Sequence, residues 1–249
     1  VSWIQQTGQA GGVINLRALG DWHNPASLAN RLRNRRFALL EAVLRPLPRP
    51  VRIIDIGGTV AYWEMRGSAG RDEYQITLVN LTAASSNYGN IRCQVGDGTC
   101  LREYADKSFD VAFSNSVIEH VGEYDAQQRM AQEVQRVARG YWVQTPNFWF
   151  PLEPHFLFPG WQWLPHAARV ALIQRRAFGW NGRCSDRAMA NRVVSNANLL
   201  SRRDLCRLFP DALLVPERFC GLVKSWIAIG GTLADNLNAL RQRQELARA

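Results

Sequence analysis

The chain has 249 residues, 47% of them hydrophobic, and its 30 Lys plus Arg against 21 Asp plus Glu give a formal charge of +9. That length buries one substantial core, so a single α/β domain with an insertion is expected. No stretch approaches the roughly 18 consecutive apolar residues that cross a bilayer, and Val1 to Gly20 lacks a basic region followed by an apolar run, so the chain is expected to be soluble and cytoplasmic, neither secreted nor transmembrane.

In chain order, Asn24 to Leu44 reads as an amphipathic helix, with Asn24 as cap and Pro25 in the first turn. Its arginines Arg31, Arg33, Arg35 and Arg36, like Arg175, Arg176, Arg202 and Arg203 further on, could attract phosphate, nucleic acid or anionic lipid, although their helical spacing between apolar residues favours a solvated face. After Pro46 to Pro50, the β-branched run Val51 to Ile56 ends in Gly57-Gly58, as a buried parallel strand does on entering a tight turn. Strands are then expected over Gln75 to Leu81, Asn90 to Val95, Phe109 to Ser114 and Gly140 to Thr145, with a helix from Ile118 to Ala138. This alternation predicts a doubly wound, mostly parallel sheet flanked by helices, with ligands at the carboxyl ends of the strands.

Regularity stops at the aromatic stretch Pro146 to Trp163, which is followed by a basic helix-like segment to about Gly179 and a polar loop to Leu199. It resumes at Ser201-Arg202-Arg203-Asp204, a capping-box start leading into Leu205 to Phe209. Strands Leu213 to Phe219 and Ser225 to Ile229 have too short a connection to be parallel and must pair antiparallel. A helix from Leu233 closes the chain, and no internal repeat is present. The expected parts are an N-terminal helical cap (1–50), a central core (51–146), an insertion (147–200) and a C-terminal helix, strand pair and tail helix (201–249). The cysteines Cys93, Cys100, Cys184, Cys206 and Cys220 are odd in number and form no Cys-x-x-Cys pair, so reduced thiols are expected.

A nucleotide-like ligand at the end of a first strand needs backbone it can approach closely, and Gly57-Gly58 supplies it. Asp55 can hold that turn by accepting from its amides. Asp55-Ile56-Gly57-Gly58-Thr59 resembles the first motif of the class I, Rossmann-like S-adenosylmethionine-dependent methyltransferases, and the run Phe109 to Val121 (Phe-Asp-Val-Ala-Phe-Ser-Asn-Ser-Val-Ile-Glu-His-Val) looks like that family's fourth strand and the loop after it.

The resemblance spans about Val51 to Asn147 and implies a seven-stranded sheet with an antiparallel last strand and an aromatic-rich insertion after strand five. It implies S-adenosylmethionine as cofactor and S-adenosylhomocysteine as product, held by Asp55, Gly57, Gly58, Thr59, Asn80, Leu81, Asp97, Gly98, Ser114, Asn115 and Ser116. Within that set, Asp97 stands where the family accepts a hydrogen bond from the adenine amino group. The glycine turn lacks the family's usual further glycine. Asn80 replaces the acid that binds the ribose hydroxyls, which forfeits a charge-assisted bond and predicts weaker cofactor affinity.

Methyl transfer is an in-line displacement for which alignment in a dry pocket matters most and a base is optional. His120 is the first candidate base, with Glu119 beside it, and His155 of Glu153-Pro154-His155 is the second. The alternatives are a structural Glu119-His120 pair and a satisfied loop histidine. A metal centre built from Glu119, His120, Glu153 and His155 has suitable ligand types but no tight ligand spacing, so none is expected. The aromatics Phe148, Trp149, Phe150, Phe156, Phe158, Trp161 and Trp163 are expected to form an apolar substrate lid, a small subcore packing the insertion onto the sheet, or both.

The expected acceptor is a small molecule such as a sugar, lipid, quinone or polyketide-like compound. A nicotinamide-dependent oxidoreductase is the alternative enzyme, although the Gly-x-Gly-x-x-Gly turn is absent. A basic module for nucleic acid is a third reading, with nucleic acid an unlikely partner because no binding motif is present. Oligomeric state is not legible.

Overall fold

Val51, Ile53, Ile54 and Ile56 are all buried in strand β1 (Val51–Ile56), an interior strand of a seven-stranded sheet in the computed structural model, which describes residues 28–247. Strands with both faces covered carry near-continuous branched apolar runs, and β1 does so between two parallel neighbours. These are β2 (Tyr74–Asn80), which is followed outward by β3 (Ile91–Val95), and β4 (Phe109–Asn115). Beyond β4 lie β5 (Ala138–Pro146), then β9 (Leu222–Gly231) and β8 (Leu213–Phe219), so the order is β3-β2-β1-β4-β5-β9-β8.

Strand β9 runs antiparallel to both of its neighbours, and for its pairing with β8 the short connection at Gly221 requires this. Gly230 faces Tyr141 across that pair, and a Cβ there would lie 2.2 Å from the phenol oxygen. Glycine is therefore what lets the tyrosine lie across β9. The chain order reverses between β1 and β4, and a switch point of this kind opens a crevice at the strand carboxyl ends.

Helix α1 (Leu28–Leu44) covers the expected segment, although Asn24 and Pro25 lie outside the described residues. Its arginines do not form one solvated face, because Arg36 is only 7% exposed. The six-residue helix α2 (Val60–Met65) follows the glycine turn, capped by Thr59, whose hydroxyl accepts from the Tyr62 amide at 3.2 Å. The helix expected from Ile118 divides into a 3-10 turn, Ile118–His120, and helix α3 (Tyr124–Val137). Gly122, at φ +122°, separates them by a backbone angle that no helix contains. Met130, Ala131, Val134 and Val137 then bury the inner face of α3.

The chain groups into two compact units, one of residues 40–150 with 197–247 and one of residues 28–39 with 151–196. The first holds the sheet. The second holds the short hairpin β6 (Leu152–Glu153) and β7 (Phe158–Pro159), helix α4 (His166–Arg175) and helix α5 (Arg187–Val194). Helix α5 lies inside the stretch read as a polar loop. Asp186 caps it by accepting from the Met189 amide at 2.7 Å, a local signal outweighed by the polarity of the neighbouring residues.

The dense aromatic stretch is split between the units. Phe156 stacks on Trp161 at 4.1 Å and joins Phe178, Val170 and Ile173 in a small core, as the subcore alternative has it. Phe150 instead packs near Phe219 of the sheet unit, and Trp149 of that unit is 63% exposed.

Helix α6 (Arg202–Leu208) begins with the expected capping box: Ser201 accepts from the Asp204 amide, and the Asp204 carboxylate accepts from the Ser201 amide at 2.9 Å. Helix α7 (Thr232–Leu246) ends the described chain. Among the described residues no helix is long and apolar enough to cross a membrane.

Candidate functional site

The ends of β1, β2 and β4 meet through hydrogen bonds that run between strands. The Gly57 amide donates to the Val79 carbonyl at 2.8 Å, and the Ser114 hydroxyl donates to the Ile56 carbonyl at 3.3 Å. Gly57, at φ +78°, occupies the left-handed region, and a Cβ there would stand 2.5 Å from Val117. Both conformation and space demand glycine at this position.

The turn is held differently from the sequence expectation. Asp55 is fully buried, and its Oδ2 accepts from the indole Nε1–H of Trp63 at 2.7 Å, whereas no turn amide donates to it. Its other oxygen, Oδ1, is buried without a hydrogen-bond partner. Burial pushes this carboxyl up to about 7, opposed by the indole hydrogen bond. A Cβ on Gly58 would lie 1.7 Å from Oδ2, so the carboxylate is seated directly beneath the second glycine.

Asn80 closes the same turn from β2, its amide nitrogen donating to the Gly58 carbonyl at 2.8 Å. An aspartate could not donate this bond, which gives the departure from an acid at this position a physical reason. The Asn80 carbonyl oxygen is left as an acceptor at the strand end. Asn80→Asp is therefore expected to weaken binding of an adenosine-containing ligand about tenfold, by setting a carboxylate against a carbonyl. Titration calorimetry with S-adenosylhomocysteine checks this, and tighter binding by the variant would show that Asn80 does not support the turn.

At the end of β3, a Cβ on Gly98 would meet Ile56 at 2.5 Å, so this loop packs against the end of β1. Asp97 uses Oδ1 to accept from both the amide and the hydroxyl of Thr99, each at 2.8 Å, and its second oxygen has no partner among the described residues. Leu81 is 75% exposed at the end of β2, an apolar side chain in water beside the polar turn. After β4, Ser116 takes φ +57°, costly for a residue with a Cβ. Its amide and hydroxyl both donate to Gln144, at 2.9 and 2.8 Å, and so hold the loop that carries Asn115.

Glu119 is buried and accepts from the Thr145 hydroxyl at 2.9 Å, while its backbone carbonyl accepts from the Asn198 amide at 2.7 Å. These bonds make it an anchor between the β4 loop and β5. His120, next in the chain, is exposed.

In the other unit, Glu153 accepts from the amides of His155 and Phe156 at 2.8 and 2.7 Å, and its Oε1 lies 2.5 Å from Nδ1 of His155. These bonds tie Glu153 and His155 together within one turn of their loop. Sequence reasoning missed Trp63, Gln144 and Thr145. An aromatic in the short helix after the glycine turn was the one visible hint of the first.

Residues 58–140 match a family model described as "Methyltransferase domain". Two uncharacterized proteins of Mycobacterium tuberculosis, from strains CDC 1551 / Oshkosh and ATCC 25618 / H37Rv, are each 30% identical over 169 residues, covering 60% of this chain and 56% of theirs. The match thus spans little more than half the length of these curated relatives.

Similar solved structures include geranyl diphosphate C-methyltransferase from Streptomyces coelicolor A3(2), 14% identical over 89% of this chain and 90% of that one, with TM-score 0.48. A SAM-dependent methyltransferase from Methanosarcina mazei is 16% identical over 75% of this chain and 94% of that one, with TM-score 0.44. At this similarity neither carries its substrate over to this chain.

Proposed function

We propose that this chain, a member of the Rossmann-like class I methyltransferases by its sheet and its residues 58–140, transfers a methyl group from S-adenosylmethionine to a small-molecule acceptor. The observation that carries the proposal is the Asp55–Gly58–Asn80 arrangement: a buried carboxylate and an amide side chain fix a glycine turn at the switch point of the sheet. S-adenosylmethionine, when bound, supplies an electrophilic methyl on a sulfonium.

The residues present fit such a donor. The Gly57-Gly58 backbone can be approached closely, the Asn80 oxygen and the free Asp97 oxygen are acceptors for hydroxyl and amino groups, and Leu81 offers apolar cover. Asp55 acts through the turn, its carboxylate placing negative charge beneath Gly58, where low polarity lets that charge reach further than it would in water.

A cationic ligand favours the ionised carboxylate, and this carboxyl sits at about 7 in the free protein. Donor affinity is therefore expected to fall as pH drops below about 7 and to level off above it. Calorimetric titrations across that range, with S-adenosylhomocysteine as the ligand lacking the sulfonium, test this. An equal slope for both ligands would remove Asp55 from sensing the sulfonium.

His120 remains the proposed proton acceptor when the nucleophile is a hydroxyl, Glu119 fixing the turn that carries it. His120→Ala is expected to slow turnover by about 10²-fold or more with little change in donor affinity. An unchanged rate would take the base role away from it. His155, held by Glu153, supports its loop. We assign no nucleic acid as substrate. Failure of labelled methyl to leave the donor with any tested small acceptor, beside intact donor binding, would overturn the acceptor class alone.

A further inference from the structure

The excess positive charge of this chain is not spread over it. Among the described residues, the unit of residues 28–39 and 151–196 carries ten arginines, no lysine and two acidic residues, whereas the sheet unit carries eighteen basic and eighteen acidic residues. A methyl-transfer site accounts for none of this asymmetry, because the residues assigned to it lie on the balanced unit.

Four of these ten arginines gather around the carboxyl end of α4, while four others lie on α1. Arg175 is its last residue, the Arg176 guanidinium lies 4.6 Å over the Phe178 ring, and Arg183 is brought there by donating to the Gln174 carbonyl at 3.0 Å. Arg187, at the start of α5, lines a groove with Gln174, Val170 and Ala171. Arg175, Arg176, Arg183 and Arg187 are exposed, and none makes an ion pair among the described residues.

Trp180 follows in the same loop, 51% exposed, with its indole N–H donated to the Pro154 carbonyl at 3.2 Å. The polar edge of the ring is thus satisfied within the protein, and what it shows to water is hydrocarbon. Trp163, at the other end of α4, is 48% exposed.

We infer that this arginine and tryptophan surface docks the chain onto an anionic lipid bilayer. Guanidinium groups without acidic partners are attracted to anionic headgroups, and a half-exposed indole gains by leaving water for the boundary between headgroup and acyl chain. A polynucleotide fits less well. It needs ring after ring along a basic track, whereas the two indoles here stand at opposite ends of a helix, and neither lines the groove that holds Arg187. The inference does not rest on methyl transfer.

The test is sedimentation of the full chain with vesicles of phosphatidylcholine alone and of phosphatidylcholine mixed with phosphatidylglycerol, at rising salt. Binding to the anionic vesicles alone is expected, with a steep loss as salt rises. The triple variant Arg175→Gln, Arg176→Gln, Arg187→Gln is expected to bind on the order of 100-fold more weakly, at about 1 kcal/mol per cation. Trp180→Ala is expected to weaken binding several-fold without changing the salt dependence, and circular dichroism verifies that both variants fold. Equal sedimentation with neutral vesicles, or none with anionic ones at low salt, would overturn the inference. So would tighter binding to polyuridine or a DNA duplex than to the anionic vesicles, and the salt titration of the unaltered chain gives a result even if the triple variant fails to fold.

Discussion

Gly58→Ala is expected to abolish measurable donor binding and to destabilise the sheet unit by about 3 to 5 kcal/mol, the sum of overpacking and a lost buried hydrogen bond. The new methyl would stand 1.7 Å from Oδ2 and 2.1 Å from Cγ of Asp55, a side chain that cannot retreat without breaking its 2.7 Å bond to the Trp63 indole. Because the turn is also tied to Asn80, the displacement passes to the backbone that is to meet the ligand. Thermal melts and calorimetry with S-adenosylhomocysteine check both halves.

The double variant Asp55→Ala, Gly58→Ala separates steric conflict from general loss. With the carboxylate gone the methyl has room, so the two substitutions together are expected to cost less than the sum of their separate effects. Strict additivity would mean that Gly58 and Asp55 are not in conflict, and the account of the turn would fail.

Asp55→Asn is the second large effect, and it moves stability and binding in opposite directions. An acid whose folded pKa is raised is more protonated in the folded state than in the unfolded chain, so wild-type stability declines as pH rises from about 4, the unfolded value, to about 7, and is flat above. Near pH 8 the buried charge therefore costs roughly 4 kcal/mol at most. An asparagine can still accept from Trp63 and removes that charge, less the cost of burying an amide N–H2 where Oδ1 now stands.

The variant is expected to melt above wild type near pH 8 and to lose this advantage near pH 4, while binding the cationic donor more weakly. A gain that did not depend on pH would show that ionisation of Asp55 is not its source. Under the proposed function the trade has a physical meaning, since a carboxylate kept beneath the turn at some cost to stability would favour a positively charged ligand.

Much of the sheet was legible because its signals are local. Val51 to Ile56 ending on Gly57-Gly58, the Ser201–Asp204 capping box and the short connection at Gly221 each express a rule acting over a few residues, and each appears in the structure as expected. Boundaries shifted where one backbone angle intervened, as Gly122 did between the 3-10 turn and α3. Helix α5 escaped notice because its polar residues outnumber the apolar ones that it buries, Ala190 and Val194.

The sequence by itself thus determined the alternating architecture, the place of the glycine turn and the resemblance to a methyltransferase, all written in short-range patterns. Only the tertiary structure decided that Asp55 is held by Trp63, that Asn80 supports Gly58, that the aromatic stretch divides between two units and that the net charge gathers in one of them. Those outcomes depend on which distant segments come to lie side by side, and a side chain's partner, burial and ionisation follow from that pairing, not from its neighbours in the chain.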